Sequence, residues 1–147
     1  MTAIGPYSMA TVREPDVNPV YIGKLTNCNS VLQALKRYTP YYYDRVIKTN
    51  LLNLYEKGCT VFAFEHDSKC QSIGECVSFC KNTVCKGVIK PDALTSSQYM
   101  VIPTVNSSNL IIETFDSGNI FVNKSIVEFS IECSDGMIYV IYDRLLD

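Results

Sequence analysis

The stretch from Leu110 to Leu146 constrains the fold most, because short apolar runs alternate there with turn signals. The clearest signal is Asp135-Gly136, and Asp-Gly between two apolar runs is typical of a hairpin. The residues from Val127 to Cys133 alternate between apolar and polar, which predicts a strand with one face in a core and one in water. The residues from Met137 to Tyr142 are apolar on both faces and predict a central strand. The rest of the chain must therefore cover this sheet.

Two helical patterns precede the strands. The first begins after Asn27 or Asn29, either of which can cap a helix, and stops at Pro40. The second is opened by Tyr41-Tyr42-Tyr43, and Gly58 suits its C-terminal cap. We expect these tyrosines to lie half in the core and half on the surface, and they offer an aromatic contact patch for a protein partner as the alternative.

A further helix and three more strands are predicted between these helices and the C-terminal meander, and one of the three strands runs from Thr83 to Ile89. Cys59–Phe64 is typical of a short buried strand, and His66-Asp67-Ser68 after it indicates a helix cap. The stretch from Ser96 to Val105 predicts a weaker strand, and Pro103 within it indicates a sheet edge. Because helices come first and a meander of strands comes last, we expect an α+β fold.

The 147 residues predict one domain, residues 23–147, preceded by an extended arm, residues 1–22, that carries three prolines. The net charge of -2 gives no general reason to expect a nucleic-acid partner. No apolar stretch approaches the roughly 18 residues of a membrane span. No signal peptide is visible, so we expect a reducing compartment.

The charge is unevenly distributed along the chain. Basic residues dominate from Lys24 to Asn50, and acidic residues dominate from Ile111 to Asp147. This distribution is typical of a basic helical half facing an acidic sheet edge. The alternative and more specific interpretation is a head-to-tail contact between copies of the chain.

The seven cysteines are odd in number and irregularly spaced, which makes a poor disulfide framework. Four of them lie close together and are the candidates for a zinc site: Cys70, Cys76, Cys80 and Cys85. They lack the paired Cys-x-x-Cys knuckles of most structural zinc sites, and Cys76 and Cys80 share a helical stripe where core residues also lie. We therefore expect buried free thiols and neither metal nor cofactor, with zinc and one local disulfide as alternatives.

Two blocks of the sequence resemble the fasciclin-like domain family. The first is Thr60-Val61-Phe62-Ala63-Phe64, where the family has a Thr-Val-Phe-Ala-Pro strand. The second runs from Gly136 to Leu146, where the family ends with Gly-x-Ile-His-Val-Ile-Asp-x-Leu-Leu. The segments Asn119–Asn123, Ile126–Glu128 and Ser30–Leu35 are similar to further strands and to the first helix of the family.

The resemblance covers about Gly23 to Leu146. It implies a β wedge of about seven strands with N-terminal helices packed on it, and an interaction module without a catalytic site. The chain departs from the family at Phe64, which replaces a proline, and at Tyr139, where the last block often has histidine. Animal members of the family have a Tyr-His pair that is linked with integrin contact. This chain has no counterpart of that pair, and Cys85-Lys86 is the nearest pair by position. Adhesion through a Tyr-His pair is therefore not carried over to this chain.

We expect a non-enzymatic protein–protein interaction module that acts as a small structural or cement subunit of a larger assembly. A lone domain with many cysteines, a proline-bearing arm and no visible signal suits an intracellular assembly. We expect a minor capsid protein of a large DNA virus, located in the virion or host cytoplasm. Its partners would be other protein subunits, or copies of itself, with no nucleic-acid partner and no membrane span. The expected contact residues are Tyr41, Tyr42, Tyr43, Pro6, Tyr7 and Pro15.

Two alternatives belong to other functional classes. An extracellular cell-adhesion fasciclin domain, without its signal sequence, would carry glycan on Asn106 or Asn123, which both match the acceptor pattern. A small thiol enzyme would use Cys70 or Cys85 as its nucleophile. The only histidine, His66, lies four residues before Cys70 and could pair with it.

Overall fold

A computed structural model describes residues 13–67 and 70–145. Four helices form there: α1 (Val31–Tyr38), α2 (Pro40–Thr49), α3 (Ile73–Lys81) and α4 (Pro91–Leu94). Nine strands form there: β1 (Lys24–Cys28), β2 (Cys59–Phe64), β3 (Val84–Lys86), β4 (Tyr99–Pro103), β5 (Asn109–Thr114), β6 (Ile120–Val122), β7 (Ser125–Ile126), β8 (Phe129–Cys133) and β9 (Gly136–Ile141). The expected α+β class is confirmed, with nine strands among these residues where the resemblance implies about seven.

The strands form two sheets, helices α1, α2 and α3 add a third layer, and α4 contributes Leu94 to the core between the sheets. The five-stranded sheet has the order β1-β8-β9-β2-β3, and the four-stranded sheet has the order β4-β5-β6-β7. Helices α1 and α2 supply Leu35 and Val46 to a helix-side core, which also contains Ile138. The four-stranded sheet covers the other face of the first sheet, and Ile112 and Tyr139 belong to this sheet-side core. The five-stranded sheet is thus buried between two layers.

Strand β9 lies at the centre of the five-stranded sheet, antiparallel to β8 and parallel to β2. All six of its residues are buried. Ile138 points into the helix-side core, and its neighbour Tyr139 points into the sheet-side core. The prediction of a central strand covered on both faces is confirmed, although the strand ends at Ile141 and Tyr142 is exposed.

The turn between β8 and β9 carries Asp135 and Gly136, as the hairpin signal predicts. The Asp135 carboxylate accepts a hydrogen bond from the backbone N–H of Val31 at 2.9 Å, so this turn also caps α1. A Cβ atom on Gly136 would lie 2.6 Å from the carbonyl oxygen of Cys59 and 2.8 Å from Cγ2 of Val31. Glycine is required because β2 and α1 approach β9 closely at this point.

The entry into the domain differs from the prediction. Neither Asn27 nor Asn29 caps α1, because the hydroxyl of Ser30 does so, accepting a hydrogen bond from the backbone N–H of Gln33 at 3.1 Å. The residues before this cap form β1, which pairs in parallel with β8. Local sequence patterns do not reveal this strand, because its partner lies far along the chain.

The prediction that Gly58 caps the C-terminal end of helix α2 is wrong, because the helix ends at Thr49. Asn50 takes the left-handed conformation, with φ of 56°, which asparagine tolerates better than most residues. The residues Leu52–Tyr55 then form a 3₁₀ turn that buries Tyr55. Gly58 instead lies in the turn that enters β2, with φ of 52°.

The cap predicted at His66-Asp67-Ser68 is also wrong, because helix α3 begins after Ser72, whose hydroxyl forms the capping hydrogen bond. Ser68 lies outside the described residues. Glu65 instead caps α2, since its carboxylate accepts hydrogen bonds from the backbone N–H groups of Tyr41 at 2.9 Å and Tyr42 at 2.7 Å. A residue that follows β2 thus fixes the start of an earlier helix.

Two further strand predictions have different outcomes. Strand β4 lies at the edge of the four-stranded sheet, as predicted, and spans Tyr99–Pro103, which is shorter than the predicted Ser96–Val105. In β8, Phe129 and Ile131 are buried as expected, but Ser130 on the opposite face is buried as well. The hydroxyl of Tyr21 lies 3.3 Å from that of Ser130, so the segment before β1 covers part of the face expected in water.

Candidate interaction surface

The outer face of the four-stranded sheet carries exposed apolar side chains. Tyr99 and Val101 alternate with Met100 and Ile102 along β4, and Val101 lies directly opposite Ile111 on β5. The exposed fractions are 45% for Tyr99, 47% for Val101 and 37% for Ile111. The outer face of an antiparallel sheet is normally polar, and adjacent exposed apolar residues indicate an interaction site. We call these three residues the sheet patch.

An ion pair borders the sheet patch. Glu113 is opposite Tyr99 on one side and Phe121 on the other. The Glu113 side chain is buried, and its carboxylate lies 3.0 Å from the ammonium of Lys124. Phe121 makes an edge-to-face contact with Phe115 at 5.5 Å between ring centroids. The Glu113–Lys124 ion pair and the Phe115–Phe121 aromatic pair therefore lie beside the sheet patch.

The three tyrosines predicted as contacts have different environments. Tyr42 is fully buried, so its prediction as a partner contact is wrong. Its hydroxyl lies 3.0 Å from that of Tyr55 and 2.7 Å from Oγ1 of Thr83, and burial raises the pKa of Tyr42 well above its usual value. Tyr41 is 49% exposed, and Tyr43 is half-buried against the helix-side core. Of the three, Tyr41 offers the most surface.

The described part of the predicted arm lies against its own domain. The Glu14 carboxylate accepts hydrogen bonds from Oγ of Ser117 and Nδ2 of Asn119, each at 2.8 Å. The Oδ1 atom of Asn119 lies 3.3 Å from the backbone nitrogen of Val20. Pro15 is exposed, whereas Pro6 and Tyr7 lie outside the described residues. Intramolecular contacts therefore account for the path of the arm near the turn between β5 and β6.

The four zinc candidates are not brought together in the part of the chain that the structure describes. All seven cysteines are free, and no group of three or more histidine, cysteine or acidic side chains is arranged to hold a metal ion. Cys80 faces the helix-side core, whereas Cys85 faces the sheet-side core. The five-stranded sheet lies between these two thiols, so a single ion cannot reach both.

A cleft of about 320 Å³ opens between α2 and the start of α3. The residues that line it are Pro40, Tyr41, Asp44, Arg45, Lys48, Asp67, Cys70 and Cys76. Lys48 and Asp44 form an ion pair at 2.9 Å on its α2 side. His66 is not among these lining residues, and its carbonyl oxygen accepts a hydrogen bond from Nη2 of Arg45 at 2.7 Å. The histidine that could serve as a base therefore does not line the cleft with Cys70.

Burial raises the pKa of most of the thiols. It raises the pKa of Cys85 to about 12, with no charged neighbour contributing. It also raises the pKa of Cys76 to about 12, and the adjacent Cys70 thiol adds to this effect. A nucleophilic cysteine needs the opposite shift, toward the thiolate. This arrangement disfavours Cys85 as the nucleophile of a thiol enzyme.

No protein-family model matches this chain, and no curated protein sequence matches it significantly. The fasciclin-like resemblance therefore remains a prediction. No helix within residues 13–67 and 70–145 is long and apolar enough to cross a membrane.

Sequence reasoning missed the sheet patch and the cleft. The alternation of Tyr99 and Val101 with other apolar residues on an edge strand was a usable signal for the patch, because an edge strand with one solvent face should alternate with polar residues. The cleft has no local signal, because its walls come from separate segments. The two glycan acceptor candidates differ in exposure: Asn106 is exposed, and Asn123 is half-buried with its Oδ1 bound to the backbone N–H of Ile111 at 2.8 Å.

Proposed function

We propose that this chain is a non-enzymatic protein–protein interaction module that serves as a small structural subunit of a larger assembly. The sheet patch carries the proposal. It presents an aromatic ring and two β-branched aliphatic side chains on a hydrogen-bonded sheet, where they lose little conformational freedom when a partner covers them.

The position of β4 adds to this argument. It is an edge strand, so its outer backbone groups and its exposed face are both accessible to a partner. Val101 and Ile111 are directly opposite each other, which makes one continuous apolar contact across two strands. The rim includes Lys124, whose charge would lie at the edge of such an interface.

The assembly that we propose is an intracellular particle, the capsid of a large DNA virus, in which the chain is a minor or cement protein. The seven free cysteines support a reducing compartment of assembly. Tyr41 and Pro15 are the exposed members of the contact set expected from sequence, and they lie outside the sheet patch. A subunit with more than one contact surface suits a position between larger neighbours.

We also propose that the domain is a divergent member of the fasciclin-like family. The two blocks that carry the resemblance form neighbouring strands: Thr60 pairs with Met137 and Phe64 pairs with Ile141 in parallel register. This adjacency of distant segments supports the resemblance, since unrelated short matches need not meet. An experimental structure with β2 and β9 apart would contradict this assignment.

The test of function uses two valines of matched exposure. Val101 is 47% exposed in the sheet patch, and Val88 is 45% exposed in the segment between β3 and α4. Tagged wild-type chain, Val101→Lys and Val88→Lys are each expressed in the native host, and the particles are purified on a density gradient. We expect wild type and Val88→Lys in the particle fraction and Val101→Lys in the soluble fraction, because a buried lysine charge at an interface is costly.

Both variants must first be shown to fold. Substitution at exposed positions usually changes the free energy of unfolding by less than about 0.5 kcal/mol, so their thermal midpoints should match wild type. Incorporation of Val101→Lys at the wild-type level would refute the role of the sheet patch. Absence of the wild-type chain from every particle would refute the structural-subunit function itself.

A further inference from the structure

Two cysteines near the start of α3 line the same cleft. Ser72 caps this helix by accepting a hydrogen bond from the backbone N–H of Glu75 at 3.1 Å. The Glu75 carboxylate reaches back and accepts a hydrogen bond from the backbone N–H of Gln71 at 2.8 Å. This reciprocal cap turns the preceding chain back over the first turn of the helix. Cys70 lies two residues before the cap, and Cys76 lies four residues after it.

Both residues line the cleft between α2 and α3, and the Cys70 thiol lies near enough to that of Cys76 to raise its pKa. Cys70 is half-buried, whereas Cys76 is only 3% exposed. A molecule in solution therefore reaches Cys70 before it reaches Cys76. Two thiols that line one cleft, one of them on the loop before α3, can be joined by an S–S bond when that loop brings them to bonding distance.

We propose that Cys70 and Cys76 are a redox modification site, forming a disulfide that closes a seven-residue loop at the start of α3 when the protein meets a disulfide-bearing oxidant such as oxidised glutathione. This site is independent of the sheet patch and of the function proposed for it. It concerns a different face of the molecule, where the helical layer and not the second sheet is exposed.

The reaction is a two-step thiol–disulfide exchange. The Cys70 thiol loses its proton to solvent, and the thiolate attacks one sulfur of glutathione disulfide. A mixed disulfide forms at Cys70, and one glutathione thiol leaves. The Cys76 thiol then loses its proton and attacks the Cys70 sulfur, which forms the Cys70–Cys76 bond and releases the second glutathione thiol. The protein loses two hydrogens, and one glutathione disulfide becomes two thiols.

The surroundings assign the order of the two steps. Cys76 is shielded from solvent, and burial raises the pKa of its thiol, so it is a poor first nucleophile. The ammonium of Lys48 is near enough to favour the thiolate of Cys76 and so assists the second step. Cys70 is thus the entry thiol and Cys76 the resolving thiol.

The other nearby thiols are less suitable partners for Cys70 or Cys76. Cys76 and Cys80 are one turn apart on the same helix, with their positions set by the helical backbone. Cys80 is fully buried in the helix-side core. Cys85 lies on the opposite face of the five-stranded sheet. Only the loop that carries Cys70 can adjust to the geometry that a disulfide requires.

One tryptic peptide reports the reaction. Cleavage after Lys69 and after Lys81 releases residues 70–81, which contain Cys70, Cys76 and Cys80. The folded full-length chain is incubated with glutathione disulfide, unfolded in the presence of an alkylating reagent, digested and analysed by mass spectrometry. We expect this peptide to carry one alkyl group in place of three and to have lost two hydrogens, with fragment ions placing the S–S bond between Cys70 and Cys76. Dithiothreitol should restore all three alkylation sites.

Three variants test the assignment and the order of the steps. Cys70→Ser should leave both remaining thiols of the peptide alkylated, and Cys76→Ser should stop at a stable glutathione adduct on Cys70. Cys28→Ser removes another half-buried thiol away from the cleft, and the 70–81 peptide should still be oxidised in this control. Full alkylation of Cys70 and Cys76 in wild type, or a disulfide that persists in Cys70→Ser, would overturn the proposal. Because Cys70 is half-buried, the Cys70→Ser variant should fold even if Cys76→Ser does not.

Discussion

Replacing Tyr42 by phenylalanine should lower stability markedly, because its hydroxyl lies within a directed chain of buried hydrogen bonds. The Thr83 hydroxyl donates to the carbonyl oxygen of Cys80 at 2.9 Å, so its oxygen is left to accept from the hydroxyl of Tyr42 at 2.7 Å. The Tyr42 oxygen can in turn accept from the hydroxyl of Tyr55 at 3.0 Å. This chain joins α2, the 3₁₀ turn and the entry into β3 inside the helix-side core.

The cost of the change follows from the number of bonds lost. Tyr42→Phe removes two buried hydrogen bonds and leaves the ring in place. Each such bond contributes about 1 kcal/mol, and leaving a buried partner unsatisfied raises the loss, so we expect a decrease of about 2 kcal/mol in the free energy of unfolding. For a chain of this size, that corresponds to a drop of about 4–8 °C in the thermal midpoint.

The matched control is Tyr41→Phe, the same chemical change on the adjacent residue, which is 49% exposed. We expect this control to change the free energy of unfolding by less than about 0.5 kcal/mol. The assay is urea unfolding followed by far-UV circular dichroism, since the chain contains no tryptophan. Equal stabilities for the two variants would refute the buried hydrogen-bond chain.

Two further predictions concern backbone crowding and pH. Gly136→Ala should destabilise the protein by about 1–3 kcal/mol in urea unfolding, because the new Cβ would lie 2.6 Å from the Cys59 carbonyl oxygen. The control is Gly74→Ala in helix α3, which should be neutral or stabilising because the nearest atom to its new Cβ is 3.7 Å away. Equal effects of the two substitutions would contradict the close approach at Gly136. Burial raises the pKa of Cys85 from 9.0 to about 12, so the stability that this thiol contributes is full below pH 9 and is lost as pH rises toward 12. Cys85→Ala should therefore reduce the slope of unfolding free energy against pH in this window, by at most about 1.4 kcal/mol per pH unit, and an unchanged slope would contradict the assignment.

The features that could be predicted from sequence depend on residues close together in the chain. The turn at Asp135 and Gly136 and the fully apolar run of β9 were recognisable because turn chemistry and strand period involve immediate neighbours. The burial of β2 and the edge position of β4 followed in the same way, the second from Pro103. These local signals were sufficient for the α+β class and for the identity of the central strand.

The wrong predictions share a different physical origin. The caps of α1 and α3 were assigned to the nearest polar residues, but several candidates are present and packing chose Ser30 and Ser72. Helix α2 was predicted to continue to Gly58, whereas Asn50 ends it so that the 3₁₀ turn can bury Tyr55. In each case the alternatives have similar local energies, and tertiary contacts select between them.

The sequence by itself determined the hairpin, the central strand and the amphipathic helices, since these need only the alternation of apolar residues and the turn chemistry between them. Only the tertiary structure decided that Tyr42 is buried while Tyr41 is exposed, that Cys70 and Cys76 line one cleft, and that Val101 and Ile111 face outward together. The physical reason is that exposure and side-chain partners depend on which distant segment lies opposite a residue. The local period of a helix or strand gives the direction of a side chain along its own element, but not what that side chain meets.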